Sequence, residues 1–74
     1  MGRQPVKVTG QAKRALREAI YAAGGVRMLA RELGISHSAL IKWQQAPPVR
    51  VLEIERLTGV RRERLRPDLY PSEG

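Results

Sequence analysis

From Gln11 to Ala23 the apolar residues Ala12, Ala15, Leu16, Ala19, Ile20 and Ala23 recur at steps of three and four, the period of one helical face. This predicts the best-defined helix of the chain. Lys13, Arg14, Arg17 and Glu18 occupy its other face, and Gly24 with Gly25 supplies the left-handed geometry that stops a helix. Val26 to Leu33 is a shorter amphipathic segment, with Leu29, Ala30 and Leu33 on one side and Arg27, Arg31 and Glu32 on the other. Gly34 ends it. Ser36 is suited to cap a third helix, predicted from His37 to Gln45, in which Leu40 and Trp43 point inward and His37, Ser38, Ile41, Lys42 and Gln45 face another way.

Ala46, Pro47 and Pro48 close that third helix, because proline disfavours helical geometry before it and lacks an amide donor. Pro48 is placed for the first turn of the next helix, Val49 to Thr58, where Val51, Ile54, Leu57 and Thr58 share a face ahead of Gly59. Arg61 to Leu65 predicts one more turn before Pro67. The pattern divides the chain into a flexible basic arm at 1–10, a helical domain at 11–66 and an extended tail at 67–74 in which Leu69 and Tyr70 can pack. No strand-like alternation occurs, so the expected fold class is all-α, a compact domain of four to five helices.

Composition narrows the picture. A chain of 74 residues builds one small core, and the absence of Phe leaves that core to Ala, Leu, Ile and Val. Fourteen Lys and Arg against seven Asp and Glu give a net charge of +7, the footprint of a nucleic-acid partner, although an acidic membrane surface also attracts such a chain. No apolar run reaches the roughly 20 residues that span a bilayer, and MGRQPVKVTG lacks a signal-peptide centre, so a soluble, cytoplasmic chain is expected. With no Cys and a single His, thiol chemistry is excluded and no metal-ligand spacing is present; neither a metal nor any other cofactor is expected. The acids sit mainly on solvent faces, without a phosphate loop or a nucleophile beside a base, so no catalytic residue is assigned and an enzyme is not expected.

The stretch VRMLARELGISHSALIKWQQ, Val26 to Gln45, has the steric requirements of a helix-turn-helix. The two helices cross steeply, which calls for a small residue where the second approaches the first, and Ala30 stands there. Gly34, four positions on, tolerates the left-handed bend, while Leu29, Leu33, Ile35, Leu40 and Trp43 supply the flanking apolar positions. An unrelated pair of helices explains the apolar positions but not the combined Ala and Gly. His37, Ser38, Ile41, Lys42 and, more weakly, Gln45 are then the candidates for reading base edges. Lys42 suits a guanine or a phosphate; Ile41 suits a thymine methyl or, nearly as well, a neighbouring core contact. Arg27, Ser36 and Arg50, at helix starts, are the candidate phosphate contacts. Trp43 shares the register of Leu40 and reads as core rather than as a stacking platform. Arg61, Arg62, Arg64 and Arg66 form a basic cluster that either adds nonspecific charge or is simply solvated.

GISHSALIKW resembles the bend and second helix of phage Cro and of lambda-repressor-like helix-turn-helix proteins. More of the chain, from about Ala19 to Pro71, is similar to the YdaS-type, Cro-like regulators of bacterial prophages. The similarity runs through AGG (Ala23 to Gly25), LARELGIS (Leu29 to Ser36), Lys42 and Trp43, PPVRVLEIERLTGV and LRPDLYP (Leu65 to Pro71). The resemblance implies a five-helix DNA-binding fold, repression of a prophage operator and, for some members, a role beside a toxin as antitoxin or regulator. His37 departs from the Gln usual at its position, and Arg61 from the hydroxyl cap usual before the last helix. The expected partner is double-stranded operator DNA bound by a homodimer, with Leu52, Leu69 and Tyr70 as candidate dimer contacts. A toxin protein bound by an antitoxin, or nonspecific nucleic acid, are the alternative partners.

Overall fold

The computed structural model describes residues 9–71. In chain order these form α1 (Gly10–Ala23), α2 (Val26–Leu33), α3 (His37–Ile41), a single 3-10 turn (Pro48–Arg50), α4 (Val51–Thr58) and α5 (Arg62–Leu65), with no strand among the described residues. The fold is that of a small all-α helix-turn-helix domain.

α1 is the platform, packing against α2, α4 and α5, whereas α3 packs on α2. Its inward residues Ala12, Ala15 and Ala19 are fully buried, and their small side chains let three helices approach one axis closely. Leu29, Leu33, Leu40, Val51, Ile54 and Leu65 fill the space between, and Ile20, Ile35, Trp43, Leu57 and Tyr70 close its edges. The helix begins one residue earlier than periodicity suggests, because the Thr9 hydroxyl accepts from the Ala12 amide at 3.0 Å. Thr9 and Gly10 thus belong to the folded domain; the rest of the expected arm, residues 1–8, lies outside the described residues.

Further boundaries differ from the sequence expectation. α3 stops at Ile41, not Gln45. Its last bonds tighten to three-residue spacing, Lys42 N–H to the Ala39 carbonyl at 3.3 Å and Trp43 N–H to that of Leu40 at 3.0 Å, and the chain then turns inward to bury Ala46 completely. The fourth helix is preceded by a 3-10 turn, so the α-helix proper starts at Val51 and not Val49. At the C-terminus, residues 67–70 fold back instead of extending: the amides of Leu69 and Tyr70 both donate to the Arg66 carbonyl, at 3.0 and 2.9 Å.

The cause of this last turn is Arg66, a residue buried at 5% exposure. Its Nη1 donates to the Ala46 carbonyl at 3.0 Å, while Nε and Nη2 hold both oxygens of Asp68 at 2.9 and 2.7 Å. A buried guanidinium is tolerated because a carboxylate and a carbonyl satisfy it. The start of α5, which lacks a hydroxyl cap at Arg61, is capped from a distance: the Glu55 carboxylate on α4 accepts from the Arg62 amide at 3.0 Å and from Arg62 Nε at 3.0 Å. Arg62 also lies over the Tyr70 ring, 5.7 Å from its centroid.

Candidate nucleic-acid interface

The bend between α2 and α3 is built from local bonds. Gly34 has φ of 72°, its amide donating to the Arg31 carbonyl at 3.1 Å, and the Ile35 amide donates to that of Ala30 at 3.0 Å. This crossed pair ends α2 and turns the chain while satisfying the carbonyls of Ala30 and Arg31. Ile35 then packs on the core, which fixes the direction of exit. Ser36 follows in extended geometry, its hydroxyl oxygen accepting from the Ala39 amide at 3.1 Å. A five-residue helix has no stability of its own, so this cap and the burial of Leu40, at 1% exposure, are what hold α3 in place.

That anchoring decides which side chains α3 presents. Away from Leu40 stand Ser38 and Ile41 on α3 and Lys42 at its C-cap, all exposed, with Ile41 at 58%. The structure therefore brings together three of the predicted reading residues on one outward face and settles Ile41 as a surface residue, not a core contact. His37 is half-buried at the edge of this face. Gln45 lies beyond the helix end and is half-buried, so it does not share the register of the other candidates. Trp43 packs against the core, in line with its shared register with Leu40.

Of the phosphate candidates, Arg27 is exposed in the first turn of α2 and has no ion-pair or hydrogen-bond partner among the described residues. Ser36 is exposed; its oxygen serves the cap, and its O–H remains available as a donor. Arg50 is differently placed. Its Nη1 lies 3.2 Å from the Leu33 carbonyl, at the end of α2, and 3.2 Å from Glu53 Oε1. It links the turn before α4 to the helix-turn-helix itself.

The charges divide by region. Glu18, Glu53, Glu55, Glu63 and Asp68 are all paired, and their partners are the arginines of the second half, Arg50, Arg61, Arg62, Arg64 and Arg66. The cluster Arg61 to Arg66 is thus largely internal wiring, neither free charge nor a simply solvated face. Among the described residues Arg27, Arg31 and Lys42 on the helix-turn-helix, Lys13, Arg14 and Arg17 on α1, and Arg56 on α4 have no ion-pair partner, so most of the unpaired positive charge lies on α1 and the helix-turn-helix.

A family model described as bacterial toxin YdaS matches residues 16–73. The chain belongs to the YdaS family. The match takes in most of α1, the whole helix-turn-helix and the Arg66 turn, so the internal wiring and the exposed face of α3 both lie within the YdaS-like region. No curated protein and no solved structure matches the chain.

Within this YdaS-family domain two further residues accompany the predicted face. Arg31 is exposed one turn after Arg27 on the same side of α2, a spacing visible in the sequence. Ala39 is exposed beside Ser38 and adds only a methyl group. No helix among the described residues is long and apolar enough to cross a membrane.

Proposed function

We propose that this YdaS-family chain is a sequence-specific double-stranded DNA-binding regulator, a Cro-like repressor that acts by occupying an operator and carries out no chemistry of its own. The observation that supports the reading is the outward face of α3: Ser38, Ile41 and the C-cap residue Lys42 project together from a short helix anchored by Leu40 and Ser36, directly after a bend of helix-turn-helix geometry. A donor and acceptor, an apolar surface and a cation on one helix are what base edges of the major groove can be read with, and His37 at the edge adds a ring nitrogen. Arg27 and the Ser36 hydroxyl position the helix through phosphates, and Arg31 adds charge beside them. Arg50 reaches phosphate only through nitrogens that do not hold Leu33 and Glu53. Two copies on a two-fold operator would place their α3 helices about 34 Å apart, one turn of DNA.

Selection from random duplex DNA tests this directly. An enriched palindrome is expected, and Lys42→Ala should lose about 1 to 3 kcal/mol on the selected site relative to random duplex. Equal losses on both would remove Lys42 from base reading, and no enrichment would overturn the regulator.

The family's description as a bacterial toxin favours a second reading, that the chain is one component of a toxin–antitoxin locus. Induced expression of wild type and of the Ser38→Ala/Lys42→Ala double variant separates the two. Growth arrest by wild type alone makes DNA reading the toxic act; equal arrest by both places toxicity elsewhere on the surface.

A further inference from the structure

The outer face of α1 takes no part in helix packing or in the α3 surface. Arg14, Arg17 and Tyr21 follow one another at spacings of three and four along its solvent ridge, and Tyr21 is 87% exposed. The surface is hollow on both sides of that ring. One groove of about 490 Å³ runs from Tyr21 toward Val60, and another of about 460 Å³ runs toward Val26 at the Gly24–Gly25 corner; Arg17 borders both. Glu18, the acid on this rim, is neutralised by two hydrogen bonds from Arg64 at 2.8 and 2.7 Å, whereas Arg14 and Arg17 have no ion-pair partner among the described residues. The result is a pair of apolar grooves under unneutralised positive charge.

We propose that this ridge docks an acidic, amphipathic segment of another protein. Its apolar side chains would seat in the grooves on either side of Tyr21, as ridges of one helix enter grooves of another, and its carboxylates would meet Arg14 and Arg17. Charge selects this occupant. A second copy meeting the ridge about a two-fold axis sets Arg14 and Arg17 against their own equivalents, which like-charge repulsion opposes. The chain's own first eight residues, MGRQPVKV, carry Arg3 and Lys7 and no acid, and are repelled in the same way. A phosphate backbone satisfies the arginines but leaves the groove walls and the Tyr21 ring uncovered by any apolar group. The inference is independent of the operator reading, since it uses no residue of α3.

A display library of random 16-residue peptides panned against the full chain is the test. Enriched sequences should combine Asp or Glu with apolar residues at spacings of three and four. Their affinity should fall about tenfold or more both for Tyr21→Ser and for Arg14→Glu/Arg17→Glu. These positions are exposed, so both variants should keep the wild-type circular dichroism and melting temperature, and Tyr21→Ser should bind duplex DNA as wild type does. The proposal is overturned by an absence of acidic consensus or by peptides indifferent to both variants. It is also overturned if Tyr21→Ser abolishes self-association in sedimentation, which assigns the ridge to a second copy, or weakens duplex binding, which assigns it to nucleic acid.

Discussion

At the scale of single residues, Gly34 governs the angle from which α3 leaves α2. Its φ of 72° lies in the left-handed region, and a Cβ added there meets nothing within 4 Å, so a side chain is opposed by backbone conformation alone. Gly34→Ala is therefore expected to destabilise the domain by about 1 kcal/mol in urea unfolding, with Gly34→Asn costing less because Asn tolerates this geometry. A neutral Gly34→Ala would mean that the bend relaxes away from the left-handed region. The identity of this residue and of the Ser36 cap was legible in the sequence because both act through backbone groups within five positions, where spacing alone specifies the partner. Arg27 separates from Arg50 at the same scale. Arg27→Ala should make the salt dependence of duplex binding shallower by about one, as loss of one phosphate contact does, while leaving the melting temperature unchanged.

At the scale of elements, α3 is short because its continuation competes with a tertiary contact and loses. The stretch Lys42 to Gln45 contains neither Gly nor Pro, and nothing local stops a helix before Ala46. The chain turns because Ala46 is buried and its carbonyl is held by Arg66, 20 residues away. Arg66→Met, which keeps the apolar stem and removes the donors, leaves the Ala46 carbonyl buried without that partner. It is expected to cost about 1 to 3 kcal/mol in urea unfolding. It should also raise amide hydrogen exchange in the segment from Trp43 to Ala46, because the loop after α3 loses its tie to the C-terminal turn. Protection in that segment equal to wild type would show that Ala46 packing alone holds the loop. Glu55 plays the corresponding part for α5, supplying from α4 the cap that Arg61 lacks. Neither link was legible in the chain, since Arg66 and Glu55 look like ordinary charges of helix surfaces until the fold brings their partners to them.

For the whole molecule, the distribution of charge matters more than its sum. Five acids are tied to arginines of the second half, so most of the charge that can meet a polyanion or an acidic partner sits on α1 and the helix-turn-helix, with Arg56 on α4 the unpaired cation apart from them among the described residues. This wiring also sets a response to acid. Hydrogen bonds from Arg64 hold the Glu18 carboxyl below its ordinary pKa, those from Arg62 do the same for Glu55, and those from Arg66 for Asp68. A carboxylate depressed in the folded state stabilises the fold above its unfolded pKa, and that contribution is lost as pH falls through the folded value. The melting temperature should therefore hold from neutral pH down to about 5 and fall below about pH 4, near the ordinary carboxylate range. Asp68→Asn should melt lower at neutral pH and show a smaller further fall in acid. An acid response identical to wild type would exclude the Arg66–Asp68 pair as a contributor.

The amino-acid sequence by itself determined the helical periods, the bend at Gly34 and Ser36, the Leu40 register that turns Ser38 and Lys42 outward, and the basic excess. Each of these follows from spacing within one or two turns or from composition. Only the tertiary structure decided where α3 ends, that Arg50 and Arg66 hold carbonyls of other segments, that Glu55 caps α5, and that the arginines from 61 to 66 are internally paired. It also decided that Tyr21 stands between two grooves rather than against a neighbour. The reason is the same throughout. A charged side chain several carbons long takes its role from the groups the fold places around it, and those groups lie as far as 46 residues away along the chain.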